Sequence, residues 1–275
     1  MAIPSPESDS IRILEECAMN AWPAHQSVLS DGWVLRLAAG YTKRANSANA
    51  LFPTGRFSEI VPLVEMFYAR HGLPTVFRLS PLAGSEPASV LDAAGYRYVD
   101  PTLVMTLALT KELTTGLTTD LTTGFKTVPA STRASELALL DDEVVIETAA
   151  SVEWREGFAR ANAVAPASRP VHDRMLASIA LPVAFATLIC DGAPIAYGLA
   201  VAERGKVGLF DIVVTPAARG RGAGQKLVAA LLRWGQAQGA AQAYLQVTAS
   251  NTAAVGLYRK LGFALAYEYH YRVRA

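Results

Sequence analysis

The chain has 275 residues, 51% of them hydrophobic, with a net charge of +1 and a pI near 7.8. This is enough apolar material for one large or two small domains with full cores. The near-neutral balance excludes a chain-wide electrostatic case for nucleic acid or an anionic membrane as partner.

Residues 10 to 22 carry apolar side chains at helical spacing up to Pro23 and predict an amphipathic helix. Gly32 to Ala39 reads as a strand, and Tyr41 to Asn49 as a polar loop. A helix follows over 56 to 71 with Gly72 beyond it, then a strand at Thr75 to Leu79 and a short helix from Glu86 to Ala94. Tyr96 to Leu109 reads as two strands around Asp100 and Pro101. Residues 110–124 change character: Leu113–Gly116, Leu117–Asp120 and Leu121–Gly124 repeat a Leu-Thr-Thr unit and predict a Thr-rich linker. The expected domains are therefore 1–109 and 125–275.

The second half is expected to open with a strand at Phe125 to Val128 and a helix from Ser131 to Leu140. Further helices are predicted at Glu153 to Asn162 and Val171 to Ile179. Val183 to Cys190 and Ile195 to Val201 flank Asp191-Gly192, a hairpin signature. A strand from Lys206 to Thr215 leads into a glycine-rich turn, and apolar residues at 227, 228, 231 and 232 mark the helix behind it. Ala243 to Thr248 is a strand, Ser250-Asn251 caps a helix to Leu261, and Ala264 to Val273 reads as a final hairpin. This order predicts an α+β fold: a mixed, mostly antiparallel sheet with helices on both faces.

The turn from Arg219 to Gly224 is the stretch with chemistry in it. The first amides of a helix lack intrahelical acceptors and, with the helix dipole, attract an anion. Gly220, Gly222 and Gly224 remove side chains that would hold a phosphate away, while Arg219 and Arg221 add charge. The spacing fits neither the dinucleotide fingerprint nor the nucleotide P-loop. The histidines at 25, 71, 172 and 270 have no metal-ligand spacing, so no metal is expected. Cys17 and Cys190 read as free thiols in a reducing cytoplasm, and no signal peptide or membrane span is apparent.

The pattern R-x-x-G-x-G over Arg219–Gly224, after a strand ending Val213-Val214-Thr215-Pro216, resembles the acetyl-CoA pyrophosphate loop of the GNAT acyltransferases. A second motif carries the resemblance over residues 125 to 275: Asn251, Ala254 and Tyr258 at i, i+3 and i+7, followed by Gly262-Phe263. The resemblance implies acetyl-CoA lying between two splayed parallel strands. Val213 and Val214 would bond the pantetheine arm, Arg219, Gly220, Arg221, Gly222, Ala223 and Gly224 the pyrophosphate, and Asn251 the cofactor arm. It also implies Tyr258 near the sulfur as general acid, a role that suits a phenol with a pKa near that of a thiol. Asn251 reads equally as a plain helix cap; for Tyr258 the alternative is a core aromatic on an amphipathic helix.

Asp211, a carboxylate in an apolar strand and on the same face as Val213 by simple alternation, needs a partner or a purpose and is a candidate base or ammonium ligand. Glu153 and Trp154 lie on the segment that lines the acceptor pocket in the resembled family. The acidic run Asp141 to Glu143, with Glu147, reads either as a solvated face or as a steering patch for a cationic acceptor. Leu91–Tyr96 of the first half matches Tyr258–Phe263 of the second, which predicts two tandem copies of one fold. The first copy lacks the glycine loop and has Leu91 where the second has Tyr258, and is expected to be structural or substrate-shaping. The expectation is N-acetyl transfer to a small-molecule or peptide amine, with a non-catalytic acyl-CoA sensor or interaction module as the competing class. Oligomeric state stays open, a homodimer included.

Overall fold

The computed structural model describes residues 6–110, 125–129 and 143–274. The predicted Thr-rich linker, the helix at Ser131 to Leu140 and the acidic pair Asp141 and Asp142 lie outside the described residues. The chain divides into two compact units, Met1–Met105 with Val247–Thr252 and Leu265–Ala275, and Thr106–Gln246 with Ala253–Ala264. Residues 265–275, which the sequence assigns to the second copy, thus group with the first unit.

The first unit holds α1 (Pro6–Ala21), β1 (Gln26–Ser30), β2 (Trp33–Leu37), β3 (Ala48–Ala50), α2 (Phe57–Arg70), β4 (Thr75–Leu79), α3 (Glu86–Ala93), most of β5 (Arg97–Ala108) and β12 (Ala264–Arg274). Its strands run in the order β1-β2-β3-β4-β12-β5. Phe57, Ile60, Val64 and Tyr68 fall on one side of α2 and pack with Trp33, Leu35, Phe77 and Leu91 into the core. Asn46, expected in a solvated loop, is buried: its Oδ1 accepts from the amides of Ala38 (2.8 Å) and Gly40 (2.9 Å). A loop that turns inward must satisfy its backbone this way. The expected strand pairs at 96–109 and 264–273 are each one continuous strand, β5 with Asp100 at φ 49 as its irregular point, and β12.

The second unit contains β6 (Phe125–Val128), β7 (Glu143–Glu147), α4 (Val152–Ala161), α5 (Arg169–Ala177), β8 (Val183–Cys190), β9 (Ala193–Glu203), β10 (Lys206–Val214), α6 (Ala223–Ala237), β11 (Gln242–Thr248) and α7 (Thr252–Lys260). Its strand order is β11-β10-β9-β8-β7-β6. The hairpin turn at Asp191 (φ 50) and Gly192 (φ 70) has both central residues left-handed, the geometry that joins twisted antiparallel strands. Helices cover both faces, as neighbouring residues of β9 show. Tyr197 points toward Trp154 of α4 (ring centroids 6.3 Å apart), whereas a Cβ on Gly198 would meet Leu227 and Leu231 of α6. Buried Leu227, Val228, Leu231 and Leu232 hold α6 down, each contributing about 1.5–3 kcal/mol.

The succession β1-β2-β3-α2-β4-α3-β5 in the first unit recurs as β8-β9-β10-α6-β11-α7-β12. The pairings match as well: antiparallel, antiparallel, then a parallel pair across the helix, β3 with β4 and β10 with β11. The chain therefore carries two tandem copies of a mixed α/β fold.

Close packing sets one firm expectation. A Cβ on Gly235 of α6 would stand 2.6 Å from Val207 Cγ1 of β10, inside contact distance and against a buried strand residue. Gly235→Ala should lower stability by about 1–2 kcal/mol, the helix-propensity gain of alanine being outweighed by overpacking. A thermal melt checks this; an unchanged or higher Tm contradicts it.

Candidate functional site

The site is prepared by the way β10 bends. Its antiparallel register with β9 runs from Lys206 to Phe210, shifts, and resumes at Val213 opposite Tyr197. Asp211 sits in the bulge at φ 50. On the other side, the parallel register with β11 starts at Lys206↔Gln242 and ends at Leu209↔Leu245. Beyond those residues the two strands part, because a bulge bends one strand away from its neighbour and leaves backbone groups unpaired. Val213 and Val214 lie on this freed stretch, and the Val214 carbonyl accepts from Arg219 Nε at 3.1 Å.

The glycine loop follows directly. A short 3-10 turn at Pro216–Ala218 brings Arg219 into extended geometry, and Gly220 (φ 75) and Gly222 (φ 83) are both left-handed. A Cβ at either glycine would meet nothing within 4 Å, so these positions are required for backbone shape. The first α6 hydrogen bond runs from Lys226 N to Gly222 O, and among the described residues no side chain caps the helix. Among the described residues the amides from Gly220 to Gln225 have no hydrogen-bond acceptor in the protein. Arg219, Gly220, Arg221 and Gly222 are exposed beside them, and Ala223 is buried. Gly224 is also a packing position. A Cβ there would come within 3.2 Å of Leu257 and 3.5 Å of Val214, so it lets α6 sit close to α7 and β10.

Tyr258 lies on α7 with 7% exposure, its ring 5.8 Å edge-on from Phe263. Its hydroxyl has no hydrogen-bond partner among the described residues, and burial pushes its pKa up to about 12. The phenol therefore keeps its proton throughout the neutral range, but burial takes its pKa away from the thiol value that the sequence reading expects it to match. Asn251 precedes α7, is exposed, donates its amide to Thr248 O at 2.9 Å and groups with the first unit.

Asp211 sits in the bulge, yet its side chain reaches the face of the sheet covered by α4 and α5, the face to which Tyr197, paired with Val213, also points. Its Oδ2 lies 2.8 Å from Nε2 of His172 on α5, and His172 is buried beneath the Phe158 ring at 5.1 Å. His172 was unremarkable in sequence, and only the fold pairs it with this carboxylate.

Glu153 and Trp154 both line a cavity of about 200 Å³, together with Glu147, Thr187 and Tyr197. Trp154 is a core residue as well as a wall: it is 1% exposed, stacks on Phe158 at 5.2 Å and donates Nε1–H to Ala186 O at 3.0 Å. Glu147 is no part of a solvated run. It ends β7, is 2% exposed, and receives the Ser151 hydroxyl on Oε2 at 3.0 Å, while Oε1 is buried without a partner among the described residues. Burial lifts its carboxyl to about 7; the Ser151 hydrogen bond opposes this and nearby Glu153 adds to it. The same Ser151 caps α4, its Oγ accepting from Trp154 N at 3.2 Å.

With this geometry established, comparison with known proteins is specific. Residues 146–263 match the acetyltransferase (GNAT) family, and residues 8–81 match the family described as probable histone acetyltransferase Rv0428c, C-terminal. The uncharacterized N-acetyltransferase YobR of Bacillus subtilis (strain 168) is 30% identical over 269 residues, 97% of this chain and 99% of that protein. A GCN5-related N-acetyltransferase from Kribbella flavida superposes with a TM-score of 0.64 at 17% identity, over 95% of this chain and 94% of its own. A tandem GNAT protein from the clavulanic acid biosynthesis pathway superposes at 0.60 and 15% identity, over 100% and 89%. At such identities these two structures speak for the fold alone.

Proposed function

The chain belongs to the GNAT family of N-acetyltransferases, and from that premise we propose that it carries an acetyl group from acetyl-CoA to a primary amine, with Tyr258 as general acid. The observation that carries the reading is the row of unengaged amides from Gly220 to Gln225 at the start of α6, beside the point where β10 and β11 part. Main-chain donors at a helix N-terminus suit a diphosphate, and Arg219 and Arg221 complement its charge. The parted strands suit the extended pantetheine arm, with the unpaired backbone near Val213 and Val214 as its partners.

The chemistry is direct transfer. The neutral amine attacks the thioester carbon, a C–N bond forms, and backbone N–H groups of the freed strand receive the oxyanion. The C–S bond then breaks, and the departing thiolate takes the Tyr258 proton. Asp211, oriented by His172, is the candidate acceptor for the proton that the new ammonium must lose. Glu153 and Trp154, at the 200 Å³ cavity, would receive the acceptor, a small molecule or peptide. In the first unit Leu91 is buried in the core at the position corresponding to Tyr258, which supports a structural or substrate-shaping role for that copy.

The test is thiol release from acetyl-CoA across a panel of amines, with the acetylated amine identified by mass. Equal amounts of free CoA and acetylated amine are expected. Tight acetyl-CoA binding with no release from any amine would overturn transfer and leave a non-catalytic acyl-CoA binder.

A further inference from the structure

Glu147 is the feature of the second unit that the transfer chemistry leaves unused. A carboxylate with one oxygen satisfied and the other buried without a donor costs free energy, and such groups persist where a ligand completes them. Among the described residues the cavity beside it is lined by three carboxylates, Glu147, Glu153 and Glu156, against one guanidinium, Arg160, which is itself 3.5 Å from Glu156. Its remaining walls are mostly apolar, Trp154 and Tyr197 among them. A cation on a hydrocarbon stem fits that combination, and an anion does not.

The sheet register relates this cavity to the reacting centre. Thr187 on β8 stands opposite Tyr197 on β9, which stands opposite Val213 on β10. Side chains directly opposite each other in antiparallel strands share a face. The cavity wall therefore lies one to two strand spacings, about 5–10 Å, from Val213 and on its side of the sheet.

We propose that the cavity receives a second ammonium group of the acceptor, with Glu147 as the carboxylate that pairs with it, so that diamines and polyamines are favoured over monoamines. The assignment rests on the transfer reading above for the position of the reacting amine. Occupation would give Oε1 of Glu147 its missing donor and draw the carboxyl toward its ionised form.

Calorimetry with 1,4-diaminobutane and n-butylamine, without acetyl-CoA, tests this independently of turnover. The diamine should bind at least about tenfold more tightly than the monoamine, and Glu147→Gln should erase that advantage. In wild type the diamine affinity should weaken about tenfold per pH unit below about 7, as Glu147 takes up its proton; the other ionisable groups facing it are Glu153, Glu156, Arg160 and Tyr197. In steady state, Glu147→Gln should raise KM for the diamine far more than it lowers kcat. Equal binding of the two amines by wild type, or an unchanged preference in the variant, overturns the inference even if acetyl transfer is observed. Selective diamine binding without thiol release would sustain it and defeat only the transfer reading. Should the variant not fold, the wild-type amine comparison and its pH dependence decide the matter.

Discussion

Gly222→Glu is expected to weaken acetyl-CoA binding by at least about a hundredfold while leaving the fold in place. Gly222 has φ 83, where an L side chain is strained by about 1–2 kcal/mol. Among the described residues the new Cβ would meet nothing within 4 Å, and the position is exposed. What changes is the loop. A carboxylate would stand among the open amides of 220–225 and compete with the diphosphate for them, and its charge would repel the ligand. Losing two charge-assisted hydrogen bonds, at about 1.5–3 kcal/mol each, accounts for a hundredfold or more. Calorimetric titration with acetyl-CoA, alongside a thermal melt, measures both parts. Gly222→Asn is the control, since asparagine tolerates the left-handed region and adds no charge. Equal affinity in wild type and Gly222→Glu would remove the loop from the binding site.

Tyr258→Phe should lower kcat by about 10²–10⁴-fold with little change in acetyl-CoA affinity. Deleting the hydroxyl orphans nothing, because it has no protein partner among the described residues, so stability should hold. Burial places the phenol's pKa at about 12, so no alkaline loss of rate from this group should occur below about pH 11. Stopped or continuous thiol-release assays over pH read both effects. Unchanged turnover in the phenylalanine variant would take Tyr258 out of the mechanism and leave it a core aromatic beside Phe263.

What was legible in the sequence was what is decided locally. The glycine loop could be read because left-handed backbone at 220 and 222 demands glycine whatever surrounds it. The Asp-Gly hairpin and the helix of 57–70 were equally visible, one from turn chemistry and the other from its apolar side. Where the readings failed, distant contacts decide. The bulge at Asp211 is set by pairing with β9 and leaves no mark in the sequence of β10 alone. Glu147 looked like part of an acidic run because nothing local announces β7, whose burial comes from β8 alongside it. His172 gains meaning only through a carboxylate thirty-nine positions away. β1 exposes four of its five residues and β3 has only three, so neither carries an alternation to detect.

β4 lies between β3 and β12, and β12 is encoded far downstream of every other strand in its unit. A nascent chain therefore emerges with the first copy's sheet open along one side of β4, and that edge cannot close until nearly all of the second copy has been synthesised. During translation β4 keeps one edge, and β5 both edges, unpaired until strands of the second copy are made, and unpaired edges of this kind are what a chaperone that shelters strands would cover.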